Sequence, residues 1–227
     1  MSETGAGAVV IANREPRHVG TACFGRPEAA VDVRIVDETG ADAAPGTPGE
    51  LWVRASGADP RRGFFREYLK DLEASAEAWN GGWFHTGDIV RRDAEGFMYF
   101  IDRKKNVIRR SGENISAVEV ESVLRQHPAL QAVAVAATPD PVRGDEVLAL
   151  VVARDPGADM AATAASIVGF CLTQLAYYKA PGYVAFVDQL PLTTSQKIQR
   201  GTLKEWAQQL PGSENCIDTR GMKKRQA

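Results

Sequence analysis

Residues 83–89 read Trp-Phe-His-Thr-Gly-Asp-Ile, and this is the most specific string in the chain. The apolar residues before Thr86 are typical of a strand, and Thr86-Gly87-Asp88 predicts a turn after it. Such a turn can present the two carboxylate oxygens of Asp88 to neighbouring hydroxyl groups, for example those of a ribose. Taken alone, the motif favours the simpler interpretation, in which Asp88 caps its own backbone.

Strands dominate the sequence around this string, and helices alternate with strands after residue 105. We therefore expect an α+β fold, with a β-rich region at 1–104, a small α+β domain at 105–210 and a frayed polar tail at 211–227. Hydrophobic periodicity predicts strands at 30–36, 50–54, 97–101, 130–137, 146–152 and 183–187, and helices at 71–79, 116–126, 161–176 and 202–209.

The composition excludes several classes of protein. The chain has 227 residues, and 27 basic against 29 acidic residues give a net charge of −2, so we expect no nucleic-acid partner. No apolar run is long enough for a membrane span, and the N-terminus lacks a secretory signal pattern. The three cysteines are widely spaced, which predicts reduced thiols in a cytoplasmic protein.

Two basic clusters, 102–105 and 109–110, lie next to a loop that reads Ser111-Gly112-Glu113-Asn114. Together they can hold a phosphorylated ligand by charge and backbone N–H groups. The alternative is a solvated charged strand, which composition alone favours.

Two further side chains are candidates for chemistry. Lys197 lies at the expected tip of the loop 191–200, where a flexible lysine can offset the charge of an oxyanion or a phosphate. Glu3 can coordinate magnesium through oxygen. Taken singly, each is better explained as an ordinary surface residue.

The order of these motifs carries more information than any one of them. Ser2-Glu3-Thr4, Gly49-Glu50-Leu51, Thr86-Gly87-Asp88, Asp102 to Lys105, Ser111 to Asn114 and Leu190 to Arg200 follow one another along the chain. In this order they resemble the C-terminal portion of the acyl-adenylate-forming superfamily, which includes acyl-CoA synthetases, peptide-synthetase adenylation domains and luciferases. The resemblance implies a reaction of a carboxylic acid with ATP and Mg²⁺ to give acyl-AMP and pyrophosphate, then transfer of the acyl group to CoA.

The resemblance also implies residue roles in the nucleotide site. Ser2 and Glu3 match positions near the phosphates, and Glu3 is the one associated with magnesium. Asp88 matches the aspartate that binds the ribose hydroxyls, and Arg103 matches an arginine that also reaches the ribose. The β-rich region would then be the end of a large AMP-binding domain.

The remaining roles fall on the small domain, which the resemblance implies is mobile. Lys105 matches the hinge between the two domains. Ser111-Gly112-Glu113 lies in the loop that corresponds to the CoA tunnel. Lys197 matches the lysine that contacts the acyl carboxylate and the α-phosphate, although Gln196 stands where the family usually has glycine.

The phosphate-binding loop and most of the acid pocket of the family lie upstream of the motifs found here. We therefore expect a C-terminal fragment that needs the N-terminal large domain and is inactive alone. The basic hinge favours an acid–CoA ligase. The alternatives are a non-catalytic docking half or CoA- or AMP-binding module of a split enzyme, and a fragment of a peptide-synthetase adenylation domain.

Overall fold

The computed structural model describes residues 3, 11, 12, 15 and 17–223. It divides the chain into two compact units, Met1–Lys105 and Asn106–Ala227. Strands and helices occur in both units, so the expected α+β class is confirmed. The sequence analysis placed its domain boundary between residues 104 and 105, one residue from this division.

The first unit is built on an antiparallel sheet, whose described strands have the order β1-β2-β7-β6-β4-β3, with β5 paired to β6. One short helix, α1, precedes β5. The elements are β1 (Ile11–Ala12), β2 (Cys23–Pro27), β3 (Val31–Val36), β4 (Gly49–Ala55), α1 (Leu72–Ala78), β5 (Trp79–Asn80), β6 (Trp83–Arg92) and β7 (Met98–Arg103).

Side chains alternate between the two faces of each strand, and the apolar ones form the core of the first unit. One face of β4 presents Leu51 and Val53, and these side chains pack with Phe84 from β6. The helix α1 begins at Asp71, whose carboxylate accepts a hydrogen bond from the Ala74 N–H at 2.9 Å and so satisfies a free backbone donor. The strands β4, β6 and β7 lie side by side because β6 pairs with β4 along one edge and with β7 along the other.

The second unit is a mixed sheet with helices on both faces. Its strand order is β13-β12-β11-β8-β9, with β10 paired to β11. The elements are β8 (Val107–Arg110), β9 (Glu113–Ser116), α2 (Ala117–Leu124), β10 (Leu130–Asp140), β11 (Gly144–Ala153), α3 (Met160–Leu172), β12 (Tyr183–Phe186), α4 (Arg200–Gln209) and β13 (Cys216–Asp218), with short 3₁₀ turns at Lys104–Asn106, Tyr177–Lys179 and Arg220–Met222.

The strand β11 is buried on both faces, which explains its continuous apolar run. Val147 and Val151 pack in the same cluster as the apolar residues of α2 and α3. Leu148 and Leu150 point to the other face, where they pack with Leu203 of α4. The helix α4 therefore packs on the opposite face of the sheet from α2 and α3.

All six predicted strands and all four predicted helices overlap elements of the structure. The turn predicted at Thr86-Gly87-Asp88 is wrong, because these residues lie inside β6. The pairing of β6 with β7 continues past them, with Asp88 opposite Arg103, and the register shifts between Ile89 and Val90. A local irregularity in a continuous strand has the same sequence pattern as a turn.

The frayed tail predicted at 211–227 is also wrong for the described residues up to 223. Residues 216–218 form β13, which pairs with β12, and Thr219 is fully buried. The segment is polar because its basic side chains meet buried carboxylates, and sequence composition does not distinguish this arrangement from a solvated end.

The position of Gly182 yields a stability prediction. A Cβ atom at this position would overlap Cγ and Cδ of Glu146, which is fully buried and held by Arg110 and Lys223. We expect Gly182→Ala to destabilise the protein by about 1–3 kcal/mol. The helix residue Gly169 has open space around it, and Gly169→Ala should stabilise by about 0.5–1 kcal/mol. Urea unfolding of both variants checks the opposite signs, and equal effects would contradict the packing described here.

Candidate functional site

Asp88 and Arg103 form an ion pair across two adjacent strands. The register of β6 and β7 places them opposite each other, and Arg103 Nε lies 2.9 Å from Asp88 Oδ1. Arg103 Nη1 also donates a hydrogen bond to the Thr86 carbonyl at 3.1 Å. The guanidinium group is thus held between the Asp88 carboxylate and the Thr86 carbonyl, while half of the Arg103 side chain remains exposed.

The backbone around Asp88 is held by side-chain hydrogen bonds. The buried Thr86 hydroxyl donates to the Leu51 carbonyl at 2.7 Å and accepts from the Asp88 N–H at 3.0 Å. Gly87 adopts a φ of +67°, a conformation that favours glycine, and its N–H donates to Glu50 Oε1 at 3.2 Å. Each residue of this motif therefore contributes differently: the Thr86 hydroxyl holds the backbone, Gly87 adopts the left-handed conformation, and Asp88 supplies the carboxylate.

Glu50 is a part of this site to which sequence reasoning gave no role. Its carboxylate is nearly buried and forms an ion pair with Lys104, with Nζ 2.8 Å from Oε2. Burial opposes its ionisation, but the hydrogen bond and the charge of Lys104 outweigh burial and lower the pKa of Glu50. The position Gly49-Glu50 in the family-like motif was the only sequence signal for it.

The environment of Asp88 disfavours its negative charge. Burial raises the pKa of Asp88, Arg103 lowers it, and the charges of Glu3 and Glu50 raise it further. Glu3 therefore lies within electrostatic reach of Asp88. Burial raises the pKa of Tyr68, and the charge of Glu3 raises it further. Carboxylates held against their electrostatic preference are typical of functional sites.

The expected magnesium role of Glu3 stays a prediction. The Glu3 carbonyl accepts a hydrogen bond from the Phe65 N–H at 2.8 Å, which fixes its backbone. Across the described parts of the chain, no three His, Cys, Asp or Glu side chains group as metal ligands. Magnesium commonly uses one or two carboxylates together with substrate phosphates, so Glu3 fits such a role only with nucleotide present. Ser2 lies outside the described residues.

In the second unit, Lys197 lies on a tight loop with an exposed side chain. Leu192 and Ile198 bridge the base of this loop. Within it, the Lys197 carbonyl accepts from the Thr193 N–H at 2.7 Å, and its N–H donates to Thr193 Oγ1 at 3.1 Å. Gln196 has a φ of +61°, so a residue with a side chain occupies a position that glycine would adopt without strain.

Arg200, three residues after Lys197, is anchored in the core. It forms an ion pair of 2.8 Å with Glu121 on α2, whose side chain is 2% exposed, and it donates to the Val135 carbonyl at 3.0 Å. Glu121 Oε1 also accepts from the Val135 N–H at 2.8 Å. The loop that carries Lys197 is therefore fixed at its C-terminal end.

Ser111 and Gly112 form the two-residue turn between β8 and β9. Their φ angles of +50° and +83° are both left-handed, as a type I′ hairpin turn requires. Glu113 begins β9 and pairs with Arg110. Lys105 is exposed and lies in the 3₁₀ turn Lys104–Asn106, at the division between the two units.

The first unit therefore pairs Asp88 with Arg103 and places Glu3 within electrostatic reach of Asp88. The second unit presents Lys197 and the Ser111-Gly112-Glu113 turn on separate loops. Residues 119–197 match the family model described as the AMP-binding enzyme C-terminal domain. Over these residues the chain is similar to that family. The resemblance of the chain to the C-terminal portion of adenylate-forming enzymes is thereby confirmed.

Three known proteins illustrate the likeness. A long-chain-fatty-acid–CoA ligase of Escherichia coli is 39% identical over 184 residues, which is 81% of this chain and 31% of the ligase. The human mitochondrial acyl-coenzyme A synthetase ACSM5 is 37% identical over 210 residues, or 91% of this chain and 36% of the synthetase. The o-succinylbenzoate CoA synthetase of Bacillus subtilis, solved with its acyl-adenylate intermediate, matches 81% of this chain and 35% of its own length, at 31% identity and a TM-score of 0.68.

The chain spans about a third of the length of these relatives. Among the described residues, no helix combines the length and the apolar character needed to cross a membrane.

The raised pKa of Asp88 yields a prediction about stability. Because the folded state binds the Asp88 proton more tightly than the unfolded state, protonation favours folding, and this contribution is complete below about pH 4 and is lost as the pH rises through the raised pKa. Asp88→Asn should therefore give a higher Tm than the wild type at pH 7.5, with the difference shrinking towards pH 4.

Asp32 provides the control, because hydrogen bonds from Ser56 and Arg54 lower its pKa. Its ionised form stabilises the fold above its unfolded pKa, and this contribution is lost on acidification. Asp32→Asn should lower the Tm at pH 7.5. A lower Tm for Asp88→Asn at that pH would contradict the electrostatics described for the site.

Proposed function

We propose that this chain is the C-terminal part of an ATP-dependent acid–CoA ligase. In the first half-reaction a carboxylate attacks the α-phosphate of ATP, giving acyl-AMP and pyrophosphate. In the second, a CoA thiol attacks the acyl carbon and releases AMP. The observation that carries the proposal is the partly buried Asp88 carboxylate, held against its electrostatic preference beside Arg103.

Asp88 and Arg103 bind the ribose in this proposal. A carboxylate has two oxygens with about four lone-pair sites, so Asp88 can accept from a vicinal diol while paired with Arg103. Arg103 keeps further N–H donors on its exposed side, and these can bind the ribose oxygens. Because the Asp88 backbone is fixed through Thr86, the carboxylate is oriented before the nucleotide binds.

Lys197 acts at the reacting centre of the first half-reaction. Attack of a carboxylate on ATP brings two anions together, and a lysine ammonium placed there offsets the repulsion where charge develops. The exposed position of Lys197 on a loop anchored by Arg200 suits a side chain that meets a substrate from outside its own unit.

The second half-reaction uses the other loop of the same unit. We propose that Ser111, Gly112 and Glu113 border the passage for the CoA thiol, and that Lys105 is the hinge between the units. The exposed 3₁₀ turn that contains Lys105 is a short connection, and such connections can absorb changes of φ and ψ. Removing Lys197 from the site after adenylation would open the same site to the thiol.

Magnesium, when bound with ATP, neutralises phosphate charge during adenylation. We propose that Glu3 holds it and that Ser2 takes part in binding the phosphates. The acid itself is an organic carboxylic acid in this proposal.

Lys197→Ala gives the direct test of the proposed chemistry. The assay uses a fusion of this chain to the N-terminal region of the Escherichia coli ligase, ending where the two sequences begin to match. We expect Lys197→Ala to slow acid-dependent pyrophosphate exchange at least about 100-fold and to change thioester formation from supplied acyl-AMP only a few-fold.

The control is Lys204→Ala, which removes an exposed lysine from α4 in the same unit. It should leave both rates close to those of the unmodified fusion. Equal loss of both half-reactions in Lys197→Ala would contradict the role of Lys197, and transfer of the acyl group to an amine in place of CoA would contradict the assignment as an acid–CoA ligase.

The chain by itself should not catalyse adenylation, because the proposed site has only part of the family's nucleotide-binding motifs. We expect no acid-dependent exchange of pyrophosphate into ATP above a blank without protein. Measurable exchange by the purified 227-residue chain would show that these residues are sufficient and would contradict this part of the proposal.

A further inference from the structure

The C-terminal segment, defined here as residues 216–223, is built into the second unit. Its strand β13 pairs with β12. The buried Thr219 hydroxyl donates to the Pro181 carbonyl at 2.8 Å, and the Thr219 N–H donates to the Gly182 carbonyl at 2.9 Å. The next four residues carry two basic side chains, Arg220 and Lys223, and each reaches a buried carboxylate.

The first connection runs through Glu146. Lys223 Nζ lies 2.6 Å from Glu146 Oε1, and Arg110 Nε lies 2.9 Å from Glu146 Oε2. The three side chains are 2%, 0% and 7% exposed, respectively, for Lys223, Glu146 and Arg110. Burial lowers the pKa of Lys223 to about 8 against the opposing effect of Glu146, so most of the lysine is charged at neutral pH. Arg110 directly precedes the Ser111–Gly112 turn.

The second connection runs through Asp140. Arg220 Nη1 donates to Asp140 Oδ2 at 3.1 Å. Asp140 Oδ1 accepts from the N–H groups of Val142 and Arg143 at 3.0 and 2.9 Å. The Arg143 carbonyl in turn accepts from the Ser111 N–H at 2.9 Å. This connection therefore also ends at the turn.

The turn is a place where such support has an effect. Ser111 has a φ of +50°, and a residue with a Cβ atom adopts this conformation at a cost that its surroundings must offset. Two connections from one segment meet at Ser111, one through the side chain of its neighbour Arg110 and one through its own N–H. They are linked to each other, because Arg143 Nη1 lies 3.9 Å from both Asp140 Oδ2 and Glu146 Oε2. Loss of either connection leaves a buried carboxylate with fewer partners, which the local backbone must then accommodate.

We propose that the C-terminal segment is a positioning element that holds the Ser111–Gly112 turn in shape for the thioester half-reaction. Lys223 and Arg220 act through Glu146 and Asp140 and do not touch the substrates. This inference rests on the proposed role of the turn in binding CoA, and it adds a segment that the motif pattern did not include.

The first test measures the turn directly in the 227-residue chain. The variants are Lys223→Met, which keeps the length of the side chain, and Arg220→Gln. Because the Arg220 side chain is partly exposed, we expect the fold to tolerate its replacement better. The control is Lys179→Met, which removes the 2.7 Å ion pair with Glu119 elsewhere in the same unit.

We expect amide hydrogen exchange at Ser111 to accelerate about tenfold or more in the first two variants and not in the control. Amides of α3 should exchange at the wild-type rate in all three, which excludes global unfolding. Unchanged exchange at Ser111 in both Lys223→Met and Arg220→Gln would overturn the proposal.

The second test measures the half-reactions of the same variants in the fusion protein. Thioester formation from supplied acyl-AMP should fall about tenfold while pyrophosphate exchange stays within about twofold. Equal loss in both half-reactions would overturn the positioning role. If the unmodified fusion makes acyl-AMP but no thioester, the proposed role of the turn in binding CoA is wrong, and the inference that depends on it is wrong too. The amide hydrogen-exchange data would still report whether the C-terminal segment holds the turn in shape.

Discussion

Buried carboxylates that need basic partners are the constraint on which the candidate site depends. A carboxylate removed from water must be paired or hydrogen-bonded, and each pairing fixes a basic side chain to one place. Three of these partners precede or follow a candidate functional residue in sequence: Lys104 beside Lys105, Arg110 beside Ser111 and Arg200 near Lys197, held by Glu50, Glu146 and Glu121. Pairing in the interior thus determines where the exposed loops begin and end.

These ion pairs contribute more to the shape of the loops than to stability. Replacing a buried ion pair by apolar residues is often neutral or stabilising, whereas removal of one partner is costly. Asp88 is a further case in which a charge is not placed for stability, because its surroundings raise its pKa in spite of Arg103. In each case the fold retains a charge that packing alone would not favour.

The sequence predicted the regular elements well because hydrophobic periodicity reports burial, and burial determines the strands and helices. It failed at Thr86–Asp88 because the pairing with β7 that makes these residues part of a strand is a long-range contact. It failed at residues 216–223 because the residue type of a charged side chain does not show whether that side chain is buried or solvated. Glu146 gave no signal at all, since it reads as the polar edge of an apolar strand. The roles of the site residues came from the family resemblance and not from periodicity.

The most direct measurement is a crystal structure of the active fusion protein with an acyl-adenylate bound. We expect both ribose hydroxyl oxygens about 2.6–3.2 Å from the Asp88 carboxylate, with the Arg103 ion pair retained. A ribose bound by other residues, with Asp88 in contact only with Arg103, would contradict the account.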